Sequence, residues 1–235
     1  TRKYSRGTIL GTVIFLLSLW APEAWTIWMW LSAIVLDTAL PALMMRHNDS
    51  SELSRSDHLP ERFGLFFLIL LGESIISITS ALLNPEHSFS QVILAAVLGI
   101  LLVFGIWWLY IDTIMAKPIN RDSSKHVILW QQGHMALFLA LPGLGASILL
   151  LLNYGASASA ILFIAIVLAV ILLSLGIIER GLIQSPCSPC QKIQGLFWRM
   201  VAVVVVLLII FAPNMWTVWM VFLLLNVSYL FLMTD

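Results

Sequence analysis

Long apolar runs broken by short polar stretches dominate this chain. Eight runs are long enough to predict helices, at roughly 7–22, 25–45, 62–83, 91–115, 127–152, 157–178, 197–212 and 214–233. A spanning helix needs ~20 mostly apolar residues to cross a ~30 Å hydrocarbon core. Strands of a membrane barrel would alternate polar and apolar residues instead. Turn formers punctuate the runs. Pro22 and Pro213 mark tight turns, Asn84-Pro85 follows the third run, and Lys117-Pro118 follows the fourth. The predicted architecture is all-α: a polytopic membrane helix bundle with eight spans.

Charge turns this count into an orientation. All twelve Lys and Arg residues fall in alternate connections. One set holds Arg2, Lys3 and Arg6; Arg46, Arg55 and Arg62; Lys117, Arg121 and Lys125; and Arg180, Lys192 and Arg199. The connections near 22–25, 84–90, 153–156 and 213 hold none. Basic loops stay in the cytoplasm, so an inner-membrane protein with both ends cytoplasmic is expected. Trp20, Trp25, Trp28, Trp216 and Trp219 then gather at the outer interface, with Trp130 and Trp198 near the inner one.

Composition agrees with this picture. Of 235 residues, 60% are hydrophobic and 10% charged, well below the charge a water-soluble surface carries. A net charge of zero argues against nucleic acid as partner. Two cysteines exclude a disulfide framework. They stand in Ser185-Pro186-Cys187-Ser188-Pro189-Cys190, which reads as an irregular linker, because one pair supplies half of a structural zinc site. No phosphate loop, zinc-protease motif or Ser-His-Asp arrangement is visible, so no cofactor, metal site or enzymatic activity is expected.

Residues 21–29 read Ala-Pro-Glu-Ala-Trp-Thr-Ile-Trp-Met and residues 212–220 read Ala-Pro-Asn-Met-Trp-Thr-Val-Trp-Met, with six of nine positions identical. Each copy sits at a helical hairpin. Duplication of this kind is common in transporter folds. It pairs the first span with the seventh and the second with the eighth. The expected organisation is 1–45 as the last two helices of a first six-helix repeat, 46–61 as a cytoplasmic loop, and 62–235 as the second repeat of a 6+6 parallel arrangement.

Ionisable groups within spans are functional candidates by default, since each costs at least ~2.5–3.5 kcal/mol to insert. Four qualify: Asp37, Glu73, Asp112 and His134. Counting ~1.5 Å of rise per residue puts Asp37, Glu73 and His134 at similar depth, with Asp112 shallower and able to snorkel toward water. Glu73 stands out. It follows Gly72, a position where another helix can approach closely, and Ser77 and Ser80 extend its face as a polar stripe. No Lys or Arg lies at this depth, so each acid is protonated, binds a cation or meets His134. That combination fits a proton, cation or substrate path.

The entry to the third span reads Leu59-Pro60-Glu61-Arg62-Phe63-Gly64-Leu65-Phe66 and continues to Leu71-Gly72-Glu73-Ser74. It resembles the signature of the bacterial low-temperature-requirement A family, in which Glu-Arg and Gly-Leu-Phe lead into an apolar run and Gly-Glu-Ser. Trp107-Trp108-Leu109-Tyr110-Ile111-Asp112 resembles that family's aromatic-aromatic-Tyr-Phe-Asp stretch, with Ile111 in place of Phe. His134 is similar to a helix histidine that the family often follows with Leu-Pro; here Met135-Ala136 follows. The resemblance covers about residues 25–235. It implies a multi-spanning inner-membrane protein tied to growth in the cold, without implying a biochemical activity. The family's amino-terminal Glu-Leu-Phe-Phe-Asp motif is absent, which agrees with a first repeat lacking four helices.

Three functions are compatible with these features. An ion- or proton-coupled transporter follows from the repeat and the buried acids. A non-catalytic subunit of a respiratory or photosynthetic membrane complex, or a homo-oligomer, follows from the apparent loss of helices. A lipid-modifying enzyme built on Glu73 or Asp112 with His134 lacks a nucleophile or metal motif. Transport is the expectation, with the lipid bilayer as the one obligatory partner.

Overall fold

In the computed structural model, residues 2–47, 58–83, 89–120, 124–154 and 157–183 are described. They form six α-helices and no named strand. The helices are α1 (Arg2–Leu17), α2 (Glu23–His47), α3 (Leu59–Leu83), α4 (Phe89–Tyr110), α5 (Ser124–Tyr154) and α6 (Ala158–Arg180). The expected spans 197–212 and 214–233, the second copy of the repeat, and Cys187 and Cys190 lie outside the described residues.

Among the described residues four helices are long and apolar enough to cross a membrane: α3, α4 with its extension to Met115, α5 and α6. Their bounds follow the apolar runs within a few residues. At ~1.5 Å per residue, α5 with its 31 residues is longer than a ~30 Å hydrocarbon core requires. Helices suit that solvent because their backbone groups bond within one segment.

The chain divides into two compact units. In the first, α1 and α2 form a hairpin. The single 3₁₀ turn Ser18–Trp20 ends α1, and Ala21 is extended. Pro22 cannot continue a helix from its own nitrogen, but its carbonyl starts the next one. It accepts from the Trp25 N–H at 2.9 Å and from Thr26 Oγ1 at 3.3 Å. Ser18 Oγ donates to Phe15 O at 2.7 Å and accepts from Trp30 Nε1 at 2.9 Å, tying the two helices together near the turn. Trp20, Trp25 and Trp28 project outward, 65–81% exposed.

The second unit contains α3, α4, α6 and most of α5, and α5 touches the other three. Gly133 packs on α6, where an added Cβ would lie 2.6 Å from Ile178 Cγ1, 3.1 Å from Ile178 N and 3.2 Å from Ser174 O. Gly145 packs on α3, where a Cβ would lie 2.9 Å from Ser74 Cα and 3.0 Å from Ser77 Oγ. On the α4 side, Ile148 fits against Gly99. Small residues bring backbones close where lipid tails supply no hydrophobic drive between helices. Around these contacts Phe67, Leu137, Leu141, Leu144, Ile164, Ile171 and Leu175 are fully buried. Gly72 is different from the close contact expected of it. Nothing among the described residues lies within 4 Å of its Cβ position, and the close approach to α3 falls at Ser74 instead.

Past Tyr110, α4 widens into one π turn, Ile111–Met115, closed by the Ala116 N–H on Ile111 O at 3.2 Å. The chain then pairs briefly with the exit of α6. Asn120 N–H donates to Gly181 O, and Ile183 N–H donates to Pro118 O, both at 2.9 Å. An antiparallel Ile119–Leu182 bridge thereby joins the ends of α4 and α6.

Gly133→Ala should destabilise the protein by ~1–3 kcal/mol through overpacking, because two of the atoms it meets are backbone. Gly72→Ala, in open space, should be neutral or stabilising by up to ~1 kcal/mol from helix propensity. Thermal unfolding of the two variants in detergent measures the contrast.

Candidate functional site

The polar residues of the spans separate into a satisfied interior group and an unsatisfied outward group. His134 belongs to the first. It is 0% exposed, on the face of α5 turned toward α3 and α4. Its Nδ1 lies 2.8 Å from Trp130 O, and its Nε2 lies 3.0 Å from Tyr110 Oη. A carbonyl only accepts, so Nδ1 carries the proton and donates to Trp130 O. Nε2 is then the acceptor, and the Tyr110 hydroxyl donates to it. Both nitrogens of a neutral imidazole are occupied.

Aromatic rings enclose this pair. Phe67 stacks on Tyr110 with centroids 3.8 Å apart and planes 14° from parallel. Trp130 lies 4.2 Å from His134, and Phe63 meets the imidazole edge-on at 5.1 Å and 90°. Phe138 completes the ring at 5.7 Å. The sequence puts these groups together simply. Phe63 and Phe67 are one turn apart on α3, as are Trp130, His134 and Phe138 on α5. Tyr110 closes the cluster from the last turn of α4.

The hydroxyls of the spans are mostly settled on backbone carbonyls. Ser74 donates across to Leu141 O at 3.3 Å, just before Pro142, the proline inside α5. Ser80, Ser147 and Ser174 bond carbonyls three or four residues back at 2.6–2.8 Å. Thr113 does the same with Leu109 O at 2.6 Å.

Glu73 and Ser77 form the second group. Glu73 is exposed on the face of α3 turned away from the buried core, and Ser77 is half-buried one turn on, beside Gly145. Among the described residues neither has a hydrogen-bond or ion-pair partner. Asp112 is exposed in the π turn and likewise unpartnered. Asp37 lies in α2, in the other unit, with its side chain outside the described residues.

Glu73 and Ser77 therefore stand together, and His134 stands apart from them. His134 packs beside Phe63, and its partner Tyr110 stacks on Phe67; these two rings lie six to ten residues before Glu73, or ~9–15 Å along α3. The neighbours of Glu73's level on α5 are Leu141 and Gly145, reached through Ser74 and Ser77. Tyr110 and Ser74 are the residues that sequence reasoning did not single out, and Trp130, expected as an anchor near the inner interface, is buried against His134. Tyr110 lies within the quoted Trp-Trp-Leu-Tyr-Ile-Asp stretch, and Ser74 within Gly-Glu-Ser, but neither stretch names its partner on α5. Among the described residues no three His, Cys, Asp or Glu side chains gather as a metal site would require.

Apolar helices of spanning length, packed through glycines around a satisfied polar pair, define an integral membrane protein of the helical class. Its family is equally plain. The family model described as "Bacterial low temperature requirement A protein (LtrA)" matches residues 1–233, and the chain belongs to that family. No curated protein and no solved structure matches it.

The Tyr110–His134 bond has a measurable signature. Tyr110→Phe leaves a buried acceptor unmet and His134→Leu leaves a buried hydroxyl unmet. Each should cost ~1 kcal/mol, between the average for a hydrogen bond in a membrane and the penalty for an orphaned buried group. The double variant should cost less than the sum of the two. Strict additivity in a denaturation cycle would mean that the two groups are not bonded.

Proposed function

We propose that this protein is a proton- or ion-coupled transporter of the inner membrane, with Glu73 as its titrating or cation-binding group and Ser77 as an adjoining ligand. The observation that supports this reading is that two unpartnered polar groups stand one turn apart on α3, Glu73 exposed and Ser77 half-buried beside Gly145. Glu73 sits two residues past the midpoint of the 25-residue helix, ~3 Å from its centre. A carboxyl group at that depth costs at least ~2.5–3.5 kcal/mol against lipid. Water, a bound cation or a proton offsets that cost, and each of these is a component of an ion path.

The wider arrangement fits the same reading. Eight spans with both ends cytoplasmic, and a six-helix repeat over 62–235, would place α3 first in its repeat. The duplicated Ala-Pro-x-x-Trp-Thr-x-Trp-Met is the sequence support for that arrangement. Asp37 is a secondary member of the path. His134 has the different task of fixing α5 against α4, with both of its nitrogens engaged.

Reconstituted into vesicles with a trapped pH indicator and an imposed potential, the protein should carry protons inward. Glu73→Gln should reduce that flux at least about tenfold, because a neutral amide neither titrates nor holds a cation at this depth. Ser77→Ala should reduce it by less. Flux through Glu73→Gln equal to that of the parent protein would remove Glu73 from the path.

A further inference from the structure

The outward face of α4 carries a feature that ion transport does not use. Leu101, Phe104 and Trp108 line this face, each 55–56% exposed, and Asp112 follows one turn past Trp108. The π turn begins only at Ile111, so Trp108 and Asp112 remain on one side of the helix with their Cβ atoms ~6 Å apart. Trp107 braces the ring row, at 6.3 Å and 74° from Trp108 and 6.3 Å and 89° from Phe104. Such an apolar strip suits an acyl chain. An aromatic ring beside an unpaired carboxylate suits a cation.

The position of the carboxylate narrows the choice. Asp112 lies three residues before Met115, where the spanning stretch ends, and five before Lys117. That is the depth of lipid head groups. Lys117 is exposed and makes no ion pair with Asp112. A negative charge at this level repels anionic phosphate esters and matches a positively charged head group. Indole faces attract ammonium groups. A primary ammonium adds N–H donors for the carboxylate, which a quaternary one lacks.

We propose that this face is a binding site for a phospholipid whose head group carries a primary ammonium. The ammonium lies between the Asp112 carboxylate and the Trp108 ring, and an acyl chain runs along Phe104 and Leu101. Charge complementarity and the continuous apolar strip select this occupant over a second protein helix.

The full chain, purified in detergent and offered phosphatidylethanolamine together with its N-acylated derivative, tests the assignment by native mass spectrometry. N-acylation removes the ammonium while keeping the phosphate and the chains. The parent protein should retain the unmodified lipid about fivefold more, the scale of one cation–aromatic contact plus an exposed ion pair. Asp112→Asn should lower that ratio to about two and Trp108→Leu should lower it by about half. Glu73→Gln should leave it unchanged, which separates this site from the ion path. A ratio near one in the parent protein, a ratio unaffected by Asp112→Asn, or one abolished by Glu73→Gln would each overturn the proposal.

Discussion

Hydrocarbon offers no hydrogen-bond partner, and the polar atoms in the interior of these helices are arranged under that constraint. The backbone meets it by staying helical, and most hydroxyls meet it by bonding carbonyls three or four residues back. His134 cannot use such a local solution for both nitrogens. One ring nitrogen reaches the Trp130 carbonyl a turn earlier, and the other needs a donor from another helix, which Tyr110 provides. That single bond sets the rotation of α4 against α5. The aromatic rings around it then follow from helical spacing on α3 and α5.

Close approach is the complementary device. Lipid tails are as apolar as Leu, so burial alone gives these helices little reason to associate. Dispersion between well-fitted surfaces must do so, and it falls off steeply with distance. Gly133 against Ile178 and Gly145 against Ser74 fix α5 to α6 and α3 at backbone range. The glycines also set the vertical register. Gly133 precedes His134 by one residue, and Gly145 lies opposite Ser74 and Ser77, so packing and polar satisfaction are specified by neighbouring positions on one helix.

The sequence made α3, α4, α5 and α6 legible because lipid demands ~20 apolar residues in a row, a signal no loop imitates. Runs expected at 62–83 and 157–178 became Leu59–Leu83 and Ala158–Arg180. Depth was less legible. Rise per residue placed Glu73 and His134 at similar levels, but it assumes that each helix enters the membrane at the start of its apolar run. The ring contacts tie His134 to Phe63 and its partner Tyr110 to Phe67, six to ten residues before Glu73, so the two apolar runs are not level at their starts. Facing was not legible at all for α3. Ser74 and Glu73 are adjacent letters of one motif, and the ~100° between neighbouring residues sends the serine into the core and the carboxylate out of it.

That ~100° has a chemical consequence. A carboxylate on the inward face at this level would meet Leu141, Leu144 and Ile78, all fully buried, with no compensating charge. On the outward face the same group leaves the packed interior undisturbed. The Ser74 hydroxyl that takes the inward place needs only one carbonyl and finds it at Leu141. Adjacent residues of one helix thus divide two tasks. Ser74, with Gly145, holds α3 to α5, and Glu73, with Ser77 beside it, keeps a charge-bearing surface at mid-helix. Exchanging Ser74 and Glu73 would preserve composition and hydropathy yet bury an unpaired acid at the closest helix contact. The order of these two residues therefore specifies both the packing of α3 and the outward placement of its carboxyl group.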